Sequence, residues 1–309
     1  MNDLDCLRLF CEHLISKYGN PSKIPEDLKA EEFREFFLRD LPVNVRSLRN
    51  MACACGFHTE ALESDKIPAK LRGYHEMING KKSVYFREED SQSGIQNTIL
   101  HETREIMESY LAQACPTYRP LRTSALHMAA NHFAAAFLLP EKRFVQDIYN
   151  TGFDVIALSQ NYSKSCAQIL LRMGEVLRGK AFFYGALYSP ESDNSEKWTV
   201  SYCTQSTAAS TSLSYWYRMN GYLPRKGRAV KSGSFVEQTI ITGKPHWIEY
   251  QIQEYKNNGS LIILSQPQII NKTVNKVAVV IIPKENQDLL AFQIERLKPV
   301  KLDPILQNK

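Results

Sequence analysis

A change of periodicity near residue 180 constrains this chain more than any other feature. Before Gly179-Lys180, apart from an extended stretch over 57–86, the apolar residues recur three and four apart, the spacing of helices with one buried face. After it, aromatic and β-branched residues alternate in short runs: KAFFYGALYS, WTVSYC, SLIILS and KVAVVIIP, punctuated by Gly, Asn and Pro. One helix is expected in that second part, over residues 234–242. The fold class is therefore α+β, helical first and mainly β afterwards, and 309 residues leave room for two or three domains.

Within the helical part, residues 1–40 form two helical stretches broken at Gly19-Asn20-Pro21. Leu41-Pro42 opens a third, in which Val45, Leu48, Met51 and Ala52 share a face and Gly56 is the stop. From Phe57 to Phe86 the pattern is extended, and KLRGYHEMINGKKSVYF reads as a hairpin turning at Asn79-Gly80. The stretch IQNTILHETREIMESYLAQ is a helix with Ile95, Ile99, Ile106 and Tyr110 on one face and Gln96 or Asn97 near its start. After a loop bracketed by Cys115-Pro116 and Pro120 comes an alanine-rich helix, SALHMAANHFAAAFLLP, stopped by Pro140. Three short helices are expected over 143–149, 153–160 and 163–177. The last two form a helix–turn–helix pattern with Ser163 as N-cap.

Several function classes recede on composition. No run approaches roughly 18 apolar residues, so no membrane-spanning helix is expected. The segment MNDLDCLRLFCEHL has early acids and no basic stretch, unlike a secretory leader, and a cytoplasmic address is expected. Seven cysteines are scattered at 6, 11, 53, 55, 115, 166 and 203, and only Cys53 and Cys55 are close. A C-x-C without a second pair argues for reduced, mostly buried thiols rather than a zinc knuckle. The net charge of +5 permits contact with nucleic acid without arguing for it.

Chemistry concentrates in His101-Glu102-Thr103-Arg104-Glu105. On a helix, residues i and i+4 share a face, so His101 and Glu105 can point at one ion. Glu102 leans aside, where it can hold a water and act as general base. By itself H-E-x-x-E is common on solvated acidic helix faces. A catalytic zinc site needs a third protein ligand and an open position, and the next helix offers His127. Ala130 and Ala134, one and two turns further on, would let that helix approach closely, while His132 lies roughly 140° round from His127.

The run His127-Met-Ala-Ala130-Asn131-His-Phe133-Ala134-Ala-Ala-Phe137-Leu138-Leu139-Pro140 resembles the E-x-x-A-N-x-F-A-x-x-L-L-x-P helix of the ImmA/IrrE family of bacterial zinc metallopeptidases. The hairpin carrying Leu71-Arg72-Gly73-Tyr74 and Ser83–Phe86 is similar to the family's hairpin, and the resemblance spans about residues 40–178. It implies a helical zincin-like peptidase domain with a small β-hairpin sheet over 1–140 and a helix–turn–helix-like segment over 141–179. A β-rich, GAF-like possible sensor domain over 180–309 is implied by the IrrE-like branch. The family's second histidine stands here as Glu105 and its downstream glutamate as His127, so two imidazoles and one carboxylate are retained. The implied metal ligands are His101, Glu105 and His127, with Glu102 as the general base for a zinc-bound water. A set of two histidines and one carboxylate suits Zn2+, and also Mn2+ or Fe2+. Arg104 replaces the family's glycine and is expected to crowd the substrate groove or to point to solvent.

The implied activity is zinc-dependent cleavage of a transcriptional repressor, the expected protein substrate being a helix–turn–helix repressor. Two alternatives stay open: a non-catalytic metal-binding regulator on the same scaffold, and a DNA-binding regulator. For DNA, Lys164 and Arg172, with Arg178 and Lys180 beyond, make a thin basic face. The most basic patch carries Arg218, Arg225, Lys226, Arg228 and Lys231, either a solvated loop or a contact for an anionic ligand or nucleic acid. Trp198, Tyr202, Tyr215, Trp216 and Trp247 are expected either in the core or lining a pocket for a small-molecule signal.

Overall fold

Local capping chemistry sets the first helices. Helix α1 (Cys6–Tyr18) ends at Gly19, whose φ of +80° suits a residue without a Cβ. Helix α2 (Glu26–Phe37) follows Pro25, with Glu26 and Asp27 in its first turn. Helix α3 (Val45–Ala54) opens on a capping box between Asn44 and Ser47. It closes at Gly56, at φ +79°. The computed structural model describes residues 6–39, 41–78, 81–191, 197–206, 224–252 and 259–284. The expected turn at Asn79-Gly80, and Arg218, Tyr215 and Trp216, lie outside them. The chain is α+β and divides into two units, residues 1–141 and 142–309.

In the first unit, β1 (Phe57–Leu62), β2 (Gly73–Ile78) and β3 (Lys81–Arg87) form a sheet of order β1-β3-β2. The β2–β3 pair is the antiparallel hairpin that the sequence announces, with His75 opposite Val84. Strand β1 runs parallel to β3, Phe57 against Lys82. The long helix α4 (Gln92–Ala114) begins at Ser91, whose side chain accepts from the Gly94 amide, so the N-cap lies ahead of Gln96 and Asn97. Helix α5 (Thr123–Leu138) follows after Pro120.

Helix α4 packs against α1, α3, α5 and the β2–β3 hairpin. It is therefore enclosed nearly all round, and Ile99, Leu100, Met107 and Leu111 are fully buried. Aromatic rings close the layer between α2 and α5. Phe33 meets Phe133 at 5.5 Å and Phe137 at 6.1 Å between centroids. Such edge-on pairs add roughly 0.5–1.5 kcal/mol each beyond area burial.

In the second unit, α6 (Glu141–Asn150), α7 (Val155–Tyr162) and α8 (Cys166–Val176) precede an antiparallel sheet of order β5-β4-β8-β7-β6. Its strands are β4 (Phe183–Pro190), β5 (Trp198–Ser206), β6 (His246–Ile252), β7 (Gly259–Ile270) and β8 (Thr273–Pro283), with α9 (Phe235–Thr242) between β5 and β6. One face buries Tyr184, Ala186, Tyr188, Leu261, Ile263, Val277, Val279 and Ile281 against Phe235 and Val236 of α9. Helices α7 and α8 pack on the sheet as well, α7 on β7 and α8 on β4 and β5. Strands buried on both faces read as unbroken apolar runs, which is the pattern of KVAVVIIP.

The turn between α7 and α8 differs from expectation. Ser163 is not an N-cap: it sits left-handed at φ +52° and closes α7, while Ser165 caps α8 in a capping box with Gln168. Helix α7 also starts later than Phe153, which is itself left-handed at φ +61°; Asp154 caps the helix by accepting from the Ile156 and Ala157 amides. The buried Gln266 of β7 accepts from the Val155 amide at 3.0 Å, tying the start of α7 to the sheet. Among the described residues no helix is long and apolar enough to cross a membrane.

Candidate metal centre

The centre is built by α4, α5 and the edge strand β2. His101 and Glu105 lie one turn apart on α4, with His101 Nε2 at 3.1 Å from Glu105 Oε1. His127, in the second turn of α5, brings its Nδ1 to 3.6 Å from the same oxygen. The two imidazoles meet edge-on at 4.6 Å between ring centroids. Thus the three ligands expected from sequence converge, with one donor atom from each lying within 4.8 Å of the others.

A test of fit follows from bond lengths. Zinc–ligand bonds of 2.0–2.2 Å at a tetrahedral centre place neighbouring donors roughly 3.3–3.6 Å apart. The observed separations of 3.1 and 3.6 Å bracket that range closely. Asn131, one turn beyond His127 on α5, adds an orienting contact: its Oδ1 lies 3.1 Å from His101 Nδ1. An amide oxygen only accepts, so Nδ1–H donates to Asn131; Nε2–H donates to Glu105, and a cation bound there would displace that proton and take the Nε2 lone pair. The residues present therefore fit a divalent cation that takes nitrogen and oxygen ligands.

His75 on β2 was not singled out by the sequence, yet it belongs to the cluster. Its Nδ1 donates to Glu102 Oε2 at 2.6 Å and lies 3.9 Å from Glu105 Oε2. Its approach depends on Gly73, two residues earlier on the same strand face. A Cβ there would collide with the Tyr85 carbonyl and the Thr98 methyl group of α4. Lys82 of β3 anchors the hairpin further along α4 by donating to the Tyr110 hydroxyl. The strand alternation Gly73, His75, Met77 was the available signal.

The H-E-x-x-E segment is not a solvated acidic face. His101 and Glu102 are each 7% exposed and Thr103 and Arg104 fully buried. Electrostatics follow from this enclosure. The hydrogen bond to Glu102 raises the His75 pKa above its ordinary value, against the opposing effect of burial. For His101, burial disfavours the charged form, but Glu105, Glu102 and Asn131 outweigh it and the pKa is raised. The hydrogen bond from His101 holds the Glu105 carboxyl below the usual range, with His75 and His127 adding to it.

Arg104 neither crowds a groove nor reaches solvent, contrary to both expectations. Its guanidinium is fully buried and donates through Nε and Nη2 to the two oxygens of Glu26, at 2.8 and 2.9 Å, and through Nη1 to Glu108 at 2.8 Å. Burial opposes the charge, yet the two carboxylates raise the Arg104 pKa further. Arginine here locks α4 onto the start of α2. His132 is likewise directed to α2, with Nε2 at 2.6 Å from Asp27.

Of the basic face considered for DNA, Lys164 and Arg172 are withdrawn from solvent, while Arg178 and Lys180 are exposed. Lys164 is 6% and Arg172 1% exposed, and Arg172 pairs with Glu175 at 3.1 Å. Gly174 lets α8 lie close on β5, where a Cβ would strike the Thr204 hydroxyl. In the sheet, Trp198 packs against the face covered by α9. Tyr202 pairs with Leu187, whose neighbours Ala186 and Tyr188 face the opposite way, so Trp198 and Tyr202 do not line one pocket. Trp247 is half-buried on β6.

Comparison with known proteins returns fold alone. No family model matches the chain, and no curated protein matches it. A solved structure described as a Mycobacterium tuberculosis transcriptional regulator is similar at 13% identity and a TM-score of 0.53, over 93% of this chain and 83% of that one. A second, described as Methyl-accepting Chemotaxis protein X, has 13% identity and a TM-score of 0.20 over 52% of this chain and 65% of that one, too slight a likeness to argue from.

Proposed function

We propose that this protein is a zinc-dependent, endopeptidase-like regulator that cuts a transcriptional repressor or similar regulatory protein. The observation that carries the reading is the convergence of His101, Glu105 and His127 at tetrahedral spacing beside an enclosed Glu102. Zinc held there supplies Lewis acidity, polarising a peptide carbonyl and acidifying water at neutral pH. Everything else falls to the chain. Glu102 takes the proton of the attacking water and returns it to the departing amide nitrogen. His75 donates to Oε2 of Glu102 and so fixes the carboxylate beside the metal ligands. Asn131 holds the His101 ring so that Nε2 points inward.

We further propose a helix–turn–helix repressor as substrate, a small-molecule signal at the second unit, and a cytoplasmic setting. We propose likewise that the first unit is zincin-like and the second GAF-like. A non-catalytic metal-binding regulator is the second reading, favoured by the description of the solved neighbour as a transcriptional regulator. One experiment separates the two. Zinc-loaded protein is incubated with candidate helix–turn–helix repressors, and Glu102→Gln slows any cutting by about 10²–10⁴-fold. Cutting by Glu102→Gln at the wild-type rate overturns the mechanism.

A further inference from the structure

The carboxylate of Glu105 faces two donor sets at once. Its Oε1 lies toward His101 and His127, at 3.1 and 3.6 Å. Its Oε2 lies toward His75, at 3.9 Å, and His75 in turn touches Glu102 at 2.6 Å. His75, Glu102 and Glu105 therefore form a second triad whose donor atoms also lie within 4.8 Å of one another. We infer that this triad is a second, weaker divalent-cation site, bridged to the first by Glu105, and that its occupation takes Glu102 away from proton transfer. The inference rests on the metal site of the proposed function, with which it shares a ligand.

Chemistry and charge both support the order of filling. The first set offers two imidazoles and one carboxylate oxygen, the second one imidazole and two carboxylate oxygens, and both suit Zn2+ or Mn2+. Across the five residues there are two carboxylates, so a first dication cancels their charge and the second meets no net attraction. Arg104 does not disturb this balance, because Glu26 and Glu108 neutralise it. Access is open to the second position: the His75 side chain is 34% exposed on the edge strand, whereas that of Glu102 is 9% exposed. A cation entering there replaces the proton shared by His75 and Glu102 and spreads their 2.6 Å contact to a ligand–ligand separation of roughly 3.3 Å. Paired metal sites with a shared carboxylate place their ions roughly 3.5–4 Å apart.

The test counts cations rather than turnover. The full-length chain is titrated with Zn2+ and read by native mass spectrometry and equilibrium dialysis, and with Mn2+ and read by electron paramagnetic resonance. Wild type should bind two Zn2+, the second more weakly, and its two Mn2+ should give an exchange-coupled spectrum. His75→Ala should weaken the second site by at least about tenfold while the first changes less than about twofold, and the coupling should vanish. His75→Gln provides the same comparison if the alanine variant does not fold. One zinc in wild type and in His75→Ala alike, lost in His101→Ala, overturns the second site and leaves the first standing. A second equivalent that survives both His75 variants also overturns it. No stoichiometric zinc at all overturns both this inference and the proposed metal centre.

Discussion

Replacing Arg104 with Met probes whether the first unit is held together as its buried charges suggest. The change keeps the volume of the side chain's stem and removes three charge-assisted hydrogen bonds, two to Glu26 and one to Glu108. Breaking a buried ion pair from one side costs about 3–5 kcal/mol, because a charge is left behind uncompensated. Here the abandoned carboxylates keep other partners. Glu26 retains Lys29 at 2.6 Å, and Glu108 retains the Tyr118 hydroxyl at 2.7 Å and the Leu121 amide at 2.6 Å. The loss should therefore fall near the lower end, about 3 kcal/mol. At about 2–4 °C per kcal/mol for a unit of this size, the first melting transition should drop by about 10 °C.

The pH dependence of that loss sharpens the test. Burial pushes the Glu26 carboxyl up, but Arg104 and Lys29 outweigh it and hold it below its ordinary value. A depressed carboxyl stabilises the fold above the unfolded pKa, near 4.3, and loses that contribution as pH falls through the folded pKa. Without Arg104 the burial effect on Glu26 gains weight and protonation becomes the easier escape. The gap between wild type and Arg104→Met should therefore narrow between pH 7 and about 4.5 in denaturant titrations. A loss under about 1 kcal/mol at pH 7, or a gap that does not narrow on acidification, refutes the reasoning. Because Arg104 faces α2, the folded variant should still bind zinc.

Two further outcomes are expected. Asn131→Ala removes the contact that orients His101 and should weaken zinc binding by about 10–100-fold in a chelator competition, without a comparable fall in melting temperature. Burial lowers the Lys164 pKa to about 8, below the unfolded value near 10.4. Between those values the unfolded chain binds more protons, so the stability of the second unit should rise with pH from about 8 to 10, and Lys164→Met should flatten that rise in denaturant titrations.

The convergence of His101, Glu105 and His127 was legible because its parts are local. His101 and Glu105 are one turn apart, and His127 follows on the next helix at a position fixed by the Ala130–Pro140 pattern. What escaped notice depends on chain segments far apart in sequence. His75 reaches the cluster only because Gly73 lets β2 lie against Thr98 of α4, a contact that strand alternation alone does not specify. Arg104 looked misplaced beside a substrate groove, since nothing near it in sequence announces Glu26, which lies 78 positions away. The parallel pairing of β1 with β3 leaves no turn signal, unlike the hairpin that follows it. Ser163 and Ser165 were both chemically fit to cap α8, and backbone geometry decided for Ser165.

Metal analysis of the purified full-length chain tests the central claim most directly. Inductively coupled plasma mass spectrometry after dialysis against trace zinc should find one tightly held zinc per chain, lost in His101→Ala and in His127→Ala. Clearly substoichiometric zinc in wild type, or a full equivalent that both variants keep, would contradict it.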